Sequence, residues 1–366
     1  MGQCSLCKRT DRPVAEILGL CAECLKNRSQ ESMSYILRAH RHSREAFSLP
    51  VVPPSESDGL VCGQCVNNCS IGQGQLGYCG VRENTGQRIE GVNQRKGKLS
   101  WYHDPLPTNC VADWVCPGGT GAGFPEYALR EDGPEIGCKN LAVFFHSCTF
   151  NCLYCQNWHF REETLRGRYR SVEELIEAVD EKTTCICYFG GDPSSQMPFA
   201  IRASEEILKR KKHRPLRICW ETNGSMDRAL LKRAVDLSLL SGGIIKFDLK
   251  AWTETVHVAL TGVTNRRTLE NFSFVAERIH ERPEVPLLVA STLLVPGYVE
   301  VEEVRQIARF IASLNRDIPY SLLAFYPHFY MSDLPLVNRD TAERCKEAAL
   351  EEGLRNVRIG NIHLLR

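Results

Sequence analysis

From residue 141 to the end, short apolar runs alternate with helical patterns, and this alternation narrows the fold more than any other feature. LAVFF (141–145), TCICYF (184–189), LRICW (216–220), GIIKFDL (243–249), PLLVASTLLV (286–295) and YSLLAFY (320–326) read as strands. Between and after them, 171–182, 197–212, 226–239, 267–281, 300–314 and 339–352 read as helices, and a tail strand is expected near 355–359. Ser171 and Glu174 form a capping box ahead of Leu175, Ile176 and Val179. Strands that are apolar on both faces and separated by helices imply a parallel sheet covered by helices. Six such units predict an α/β fold of the partial (β/α)6-barrel type, with its chemistry at the C-terminal ends of the strands.

The rest of the chain is organised differently. Residues 1–50 predict a small module with four cysteines and a helix over 30–48. Residues 51–140 form a cysteine- and glycine-rich region opened by a linker at 51–59, and 141–366 form the barrel. GGTGAG (118–123) neither follows a strand nor opens a clear helix. It fits no phosphate-binding layout and predicts a loop near the active site.

Eighteen cysteines in 366 residues demand an explanation. The first twenty residues carry charges and paired cysteines where a secretion signal would be apolar, and no run of about 18 apolar residues could span a membrane. A cytoplasmic location is therefore expected. In a reducing compartment, cysteines grouped at ligand spacing mean metal rather than disulfides. The net charge of +1 gives no broad basic field, so nucleic acid is not favoured as a partner.

The most specific set is Cys148-x3-Cys152-x2-Cys155, in the loop after the first barrel strand. Thiolates are the usual ligands of iron–sulfur clusters. Three thiolates on a four-iron cubane leave one iron open to a small chelating molecule. The competing reading is zinc, with His146 or His159 closing the shell. The position after a strand and Tyr154 just before the last cysteine favour the 4Fe–4S cluster.

Cys4-x2-Cys7 and Cys21-x2-Cys24 form two knuckles that together satisfy tetrahedral zinc, which makes that site structural. Cys62, Cys65, Cys69 and Cys79 are a second ligand-like set, open to zinc, mononuclear iron or an auxiliary cluster. Cys110, Cys116 and Cys138 follow, and the seven together are open to the same three readings. Cys185, Cys187, Cys219 and Cys345 are expected as buried core thiols. Tyr326 and His328, after the last barrel strand, are expected in the substrate pocket or the core.

With these residues in view, the chain resembles the radical S-adenosylmethionine (SAM) superfamily. It is most similar to the pyruvate-formate-lyase-activase-like branch and to AmmeMemoRadiSam-type proteins. The resemblance rests on CQNW (155–158), CGQCVNNCSIGQGQLGYCGVREN (62–84), LVPGYVEVEEV (294–304), IPYSLLAFYPHF (318–329) and GLRNVRIGNI (353–362), and spans about 60–366. It implies a radical SAM barrel whose cluster cleaves SAM reductively to methionine and a 5′-deoxyadenosyl radical. By the same resemblance, Gly190, Gly191 and Asp192, followed by Pro193, stand where the family binds the SAM amino group, with aspartate in place of glutamate. Glu221, Thr222 and Asn223 with Gly224 resemble its next strand end. Asp248 and Lys250 resemble a motif that contacts SAM and helps hold a monovalent cation. Lys246, two residues earlier, would replace that cation if its ammonium points into the site. Val295-Pro296-Gly297 resembles the turn beside the adenine.

The branch implies a protein or peptide substrate, attacked at a backbone Cα, and a low-potential electron donor. The outcome could be glycyl-radical activation, another protein modification, or C-methylation with cobalamin, although 1–140 holds no separate cobalamin-type module. Three other readings stay open. RNA would need basic surfaces such as HRHSR (40–44) or KRKKHR (209–214). A small molecule would need neither, and a non-catalytic iron–sulfur or zinc scaffold would not cleave SAM.

Overall fold

The computed structural model describes residues 2–108, 110–211 and 215–366. Of KRKKHR, positions 212–214 lie outside the described residues, as does the last position of the helix expected at 197–212.

Nine strands form one sheet. In chain order they are β1 (Lys96–Pro105), β2 (Lys139–Phe145), β3 (Tyr169–Ser171), β4 (Thr183–Phe189), β5 (Arg217–Thr222), β6 (Ile245–Asp248), β7 (Leu288–Leu294), β8 (Tyr320–Ala324) and β9 (Val357–Gly360). Their spatial order is β9-β8-β7-β6-β5-β4-β2-β1-β3. The seven strands from β2 to β9 without β3 run parallel, each beside its sequence neighbour. The expected parallel α/β architecture is therefore present, with both edges of the sheet open. The sequence reading missed β1, which pairs antiparallel with β2 from Leu99↔Phe145 to Pro105↔Lys139 and carries β3 on its other side. Its polar composition hid it, since half of its residues face solvent.

The helices are α1 (Ala22–Asn27), α2 (Ser29–Glu45), α3 (Phe160–Arg166), α4 (Val172–Glu177), α5 (Met197–Arg210), α6 (Arg228–Ser241), α7 (Glu254–Thr261), α8 (Arg266–Ala276), α9 (Val301–Leu314) and α10 (Arg339–Glu351), besides a single helical turn at Pro117–Thr120 that takes in the start of the GGTGAG stretch. The capping box forms: Ser171 Oγ accepts from Glu174 N–H at 3.2 Å, and Ser171 N–H donates to Glu174 Oε2 at 2.8 Å. It starts α4, which is shorter than the sequence pattern implied. The eight-residue α7 was not anticipated, because two turns are too short to show a period.

Strand alternation sorts the two faces of the sheet. Ile186, Tyr188, Ile218 and Trp220 pack under the helices, where Ser204 Oγ donates to Tyr188 Oη and Trp220 Nε1–H to Ser238 Oγ. Burying each such large apolar side chain contributes roughly 1.5–3 kcal/mol. The alternate positions, Cys185, Cys187, Cys219, Glu221, Lys246 and Asp248, face the other way and line cavities. Val14, Ala15, Leu18, Leu20, Leu25 and Ile36 share one continuous apolar core with the sheet. Tyr298, after β7, fixes that contact by donating its hydroxyl to Leu20 O and accepting from Ala15 N–H. Among the described residues, no helix is long and apolar enough to cross a membrane.

Candidate functional site

The loop after β2 carries Cys148, Cys152 and Cys155, and all three sulfur-bearing residues line one cavity of about 240 Å³. Gly190, Gly191, Asp192, Glu221, Asn223, Lys246, Asp248 and Lys250 line it too, from the ends of β4, β5 and β6. Thr222 is placed differently: it lies behind the wall, where its hydroxyl bonds Asp192. The four cysteines 62, 65, 69 and 79 do not line this cavity, nor do Tyr326 and His328.

Many polar groups of the wall are engaged with one another. Asp192 is buried and accepts from Ser194 N–H at 2.7 Å and Asn223 N–H at 2.6 Å, and burial raises its pKa. Asn223 Nδ2 donates to Thr149 Oγ1 at 2.8 Å, which ties the β5 end to the cysteine loop. Glycine at 190 and 191 is demanded by the neighbouring chain. With φ of +61° and +50°, a Cβ would meet the Phe144 ring at 2.2 Å and Phe145 O at 2.3 Å.

Asp248 is the charge centre. Lys246 Nζ lies 2.7 Å from its Oδ1 and 3.2 Å from Glu221 Oε2, while Lys250 Nζ lies 3.2 Å from Asp248 Oδ2. Burial alone would raise the Asp248 carboxyl, but the two ammonium groups hold it well below the usual carboxylate range. The Lys246 ammonium thus sits between Glu221 and Asp248.

Burial pushes the Cys148 thiol well up and Cys152 up to about 11, so both stay protonated near neutrality unless a metal displaces the proton. Among the described residues, no histidine or carboxylate gathers with these three sulfurs at single-ion distance. His146 instead lies 3.1 Å from Ser100 Oγ, and the His159 ring stacks on Trp158. The Tyr154 hydroxyl and Arg161 Nη1, both on residues of the cavity wall, are buried without a hydrogen-bond partner. Three thiols spread wider than single-ion distance, in a cavity with two unpaired polar groups, fit a cluster with a polar molecule beside it.

The cysteine loop is also braced from the first fifty residues, which the sequence reading missed. Asn151, fully buried, accepts from Ser43 Oγ and Arg161 Nη2 at 3.3 Å and donates to His40 Nδ1 at 2.9 Å. His40 and Arg44 share the buried side of α2, and Arg44 lies 3.6 Å over the Tyr78 ring.

Cys4, Cys7, Cys21 and Cys24 gather with all sulfurs within 4.8 Å of one another. The pairs Cys4–Cys24 and Cys7–Cys21 are each 3.7 Å apart. Metal–sulfur bonds of about 2.3 Å in a tetrahedron give edges of about 3.8 Å. This set is able to bind a metal ion.

Residues 142–311 match the family model of the Radical SAM superfamily. An uncharacterized protein of Methanocaldococcus jannaschii is 25% identical over 307 residues, covering 82% of this chain and 81% of that protein. The isethionate sulfite-lyase activating enzyme of Desulfovibrio desulfuricans is 28% identical over 204 residues, covering 50% of this chain and 61% of that enzyme. The pyruvate formate-lyase 1-activating enzyme of Escherichia coli strain K12 is 29% identical over 153 residues, covering 40% and 58%. Over residues 142–311, somewhat under half of its length, the chain is similar to the Radical SAM superfamily. Several of the relatives it resembles are named as activating enzymes.

Proposed function

We propose that the chain binds a 4Fe–4S cluster through Cys148, Cys152 and Cys155 and abstracts hydrogen from a protein or peptide substrate. One observation carries this reading. The three thiols share one cavity with the Asp248–Lys250 pair. When bound, the cluster supplies the electron that splits SAM into methionine and a 5′-deoxyadenosyl radical.

The chain's own residues prepare that event. Lys250 presents a buried ammonium beside the Cys152 thiol, positioned to pair an anionic end of a ligand, and Asp248 keeps it charged. Arg161 and Tyr154 offer the unpaired donors, and Asp192 with Asn223 fixes the loop ends that form the wall. The names of the activating relatives support a protein substrate, and a low-potential electron donor completes the system. We assign zinc to Cys4, Cys7, Cys21 and Cys24, and the cytoplasm as the compartment that keeps these thiols reduced.

The test uses peptides carrying Cα-deuterated glycine, incubated anaerobically with the reconstituted protein, SAM and dithionite. Deuterium appearing in 5′-deoxyadenosine supports abstraction from a backbone Cα. SAM cleavage that no peptide changes, with only solvent hydrogen in the product, would contradict a peptide substrate. A mass gain of about one methylene on the peptide would redirect the reading to methylation.

A further inference from the structure

A second cavity lies on the same face of the sheet, toward the N-terminal ends of β4 and β5. It is lined by five cysteines: Cys110, Cys116, Cys185, Cys187 and Cys219. Three come from neighbouring strands. Cys185 and Cys187 are two apart on β4, and Cys187 stands in register with Cys219 on β5. Alternation and register therefore put all three side chains on one face, at grid spacings of about 6.6 Å along the strand and about 4.8 Å across. Cys110 and Cys116 come from the segment that precedes β2, which crosses this end of the sheet. There Trp114 Nε1–H donates to Ser321 Oγ, and Arg358 pairs with Asp113 at 2.7 Å.

Buried cysteines ordinarily pack as small apolar side chains. These five do not fill their space. They surround a void in which a water-sized sphere has about 40 Å³ to move, where a native core would be close-packed. The wall is made largely of sulfur, with Arg217, Glu221 and Lys246 at its margins. The layer inside a barrel is ordinarily filled by bulky branched residues, and here it is filled by thiols around a gap.

Arg217 adds a second, independent sign. It is buried and engages Glu135 through Nη1 at 2.8 Å and Nη2 at 2.6 Å. It still turns Nε–H and Nη2–H onto Cys185 Sγ, at 3.2 and 3.1 Å. Such donors to sulfur are how proteins orient and tune a thiolate that ligates metal. Gly118, from the GGTGAG stretch, leaves room for this approach: a Cβ there would come within 3.0 Å of Arg217 Nη2 and 3.6 Å of Cys185 Sγ. That stretch does not lie at the cavity of Cys148. It closes this second one.

Among the described residues, no three of the five sulfurs lie within 4.8 Å of one another, unlike the compact set at Cys4. The separation is too wide for one tetrahedral ion and suits a group that carries its own bridging sulfides. We propose that this cavity holds a second iron–sulfur cluster, ligated by four of these five cysteines, with Arg217 donating to Cys185. The cluster lies directly below the SAM cavity, because Glu221 and Lys246 line both spaces.

The test measures iron and acid-labile sulfide in full-length protein reconstituted anaerobically with iron and sulfide. Three proteins are compared: the wild type, the Cys148→Ala/Cys152→Ala/Cys155→Ala variant, and that variant with Cys185→Ala and Cys219→Ala added. The triple variant is expected to keep iron and sulfide, and the two further substitutions to remove that remainder. No iron in the triple variant overturns the proposal. So does equal iron in the last two proteins, which would place it on other cysteines. If the last variant does not fold, wild-type crystals decide. Anomalous scattering at the iron edge should show a second peak between Cys116, Cys185 and Cys219. A peak at Cys148, Cys152 and Cys155 without one there overturns the proposal.

Discussion

Lowering the pH should loosen the loop that carries Cys148, Cys152 and Cys155, because His40 can hold Asn151 only as a neutral ring. His40 Nε2 lies 3.1 Å from the carbonyl oxygens of Val258 and Ala259, so Nε2 carries the proton. Nδ1 then accepts from Asn151 Nδ2. The Asn151 amide cannot simply turn over, since its oxygen already receives Ser43 and Arg161. A second proton on His40 would face a donor inside a buried pocket. Burial, with Arg44 and Arg161 nearby, accordingly brings His40 down to about 4, against the weaker pull of the two carbonyls. The folded value lies below the unfolded one of about 6.5, so the contribution is complete above pH 6.5 and is lost as pH falls toward 4. At pH 5 the loss is about 2 kcal/mol. Urea midpoints at pH 7 and pH 5 should be compared for the wild type and His40→Met, both anaerobically reconstituted. His257, also brought down to about 4 by burial, titrates in both proteins and cancels. The wild type should lose about 2 kcal/mol more than the variant on acidification. An equal loss in both would refute the assignment of that proton to His40.

Three further outcomes follow from the same geometry. Cys7→Ser should lower the zinc bound per chain, read by elemental analysis, and lower the thermal midpoint, because it opens a closed four-thiolate shell. Glu135→Ala leaves Arg217 buried without its carboxylate and should cost roughly 3–5 kcal/mol in urea unfolding. Asp248→Asn removes the carboxylate that pairs Lys250, leaving Lys246 to Glu221, and should weaken SAM binding roughly tenfold or more in equilibrium titration.

The parallel sheet was legible because buried apolar runs such as TCICYF and LVASTLL recur between helical patterns and allow few other readings. The metal-competent set at Cys4 was legible because its spacing is local, and the same local spacing brings Cys148, Cys152 and Cys155 to one cavity. What stayed hidden depends on long-range packing. Nothing in the sequence of α2 announces that His40, Ser43 and Arg44 reach Asn151, more than a hundred residues away. The side chain of Asp192 looked ready for a ligand, yet Ser194 and Asn223 occupy it. Cys185, Cys187 and Cys219 looked like core thiols because their gathering with Cys110 and Cys116 depends on strand register and on a distant crossing segment.

The central claim is that three thiolates leave one iron free for SAM. Its most direct measurement is the yield of 5′-deoxyadenosine from anaerobically reconstituted protein given SAM and dithionite. The wild type should release it steadily and Cys152→Ala none. A wild-type protein that carries its full iron and sulfide yet releases no 5′-deoxyadenosine would contradict it.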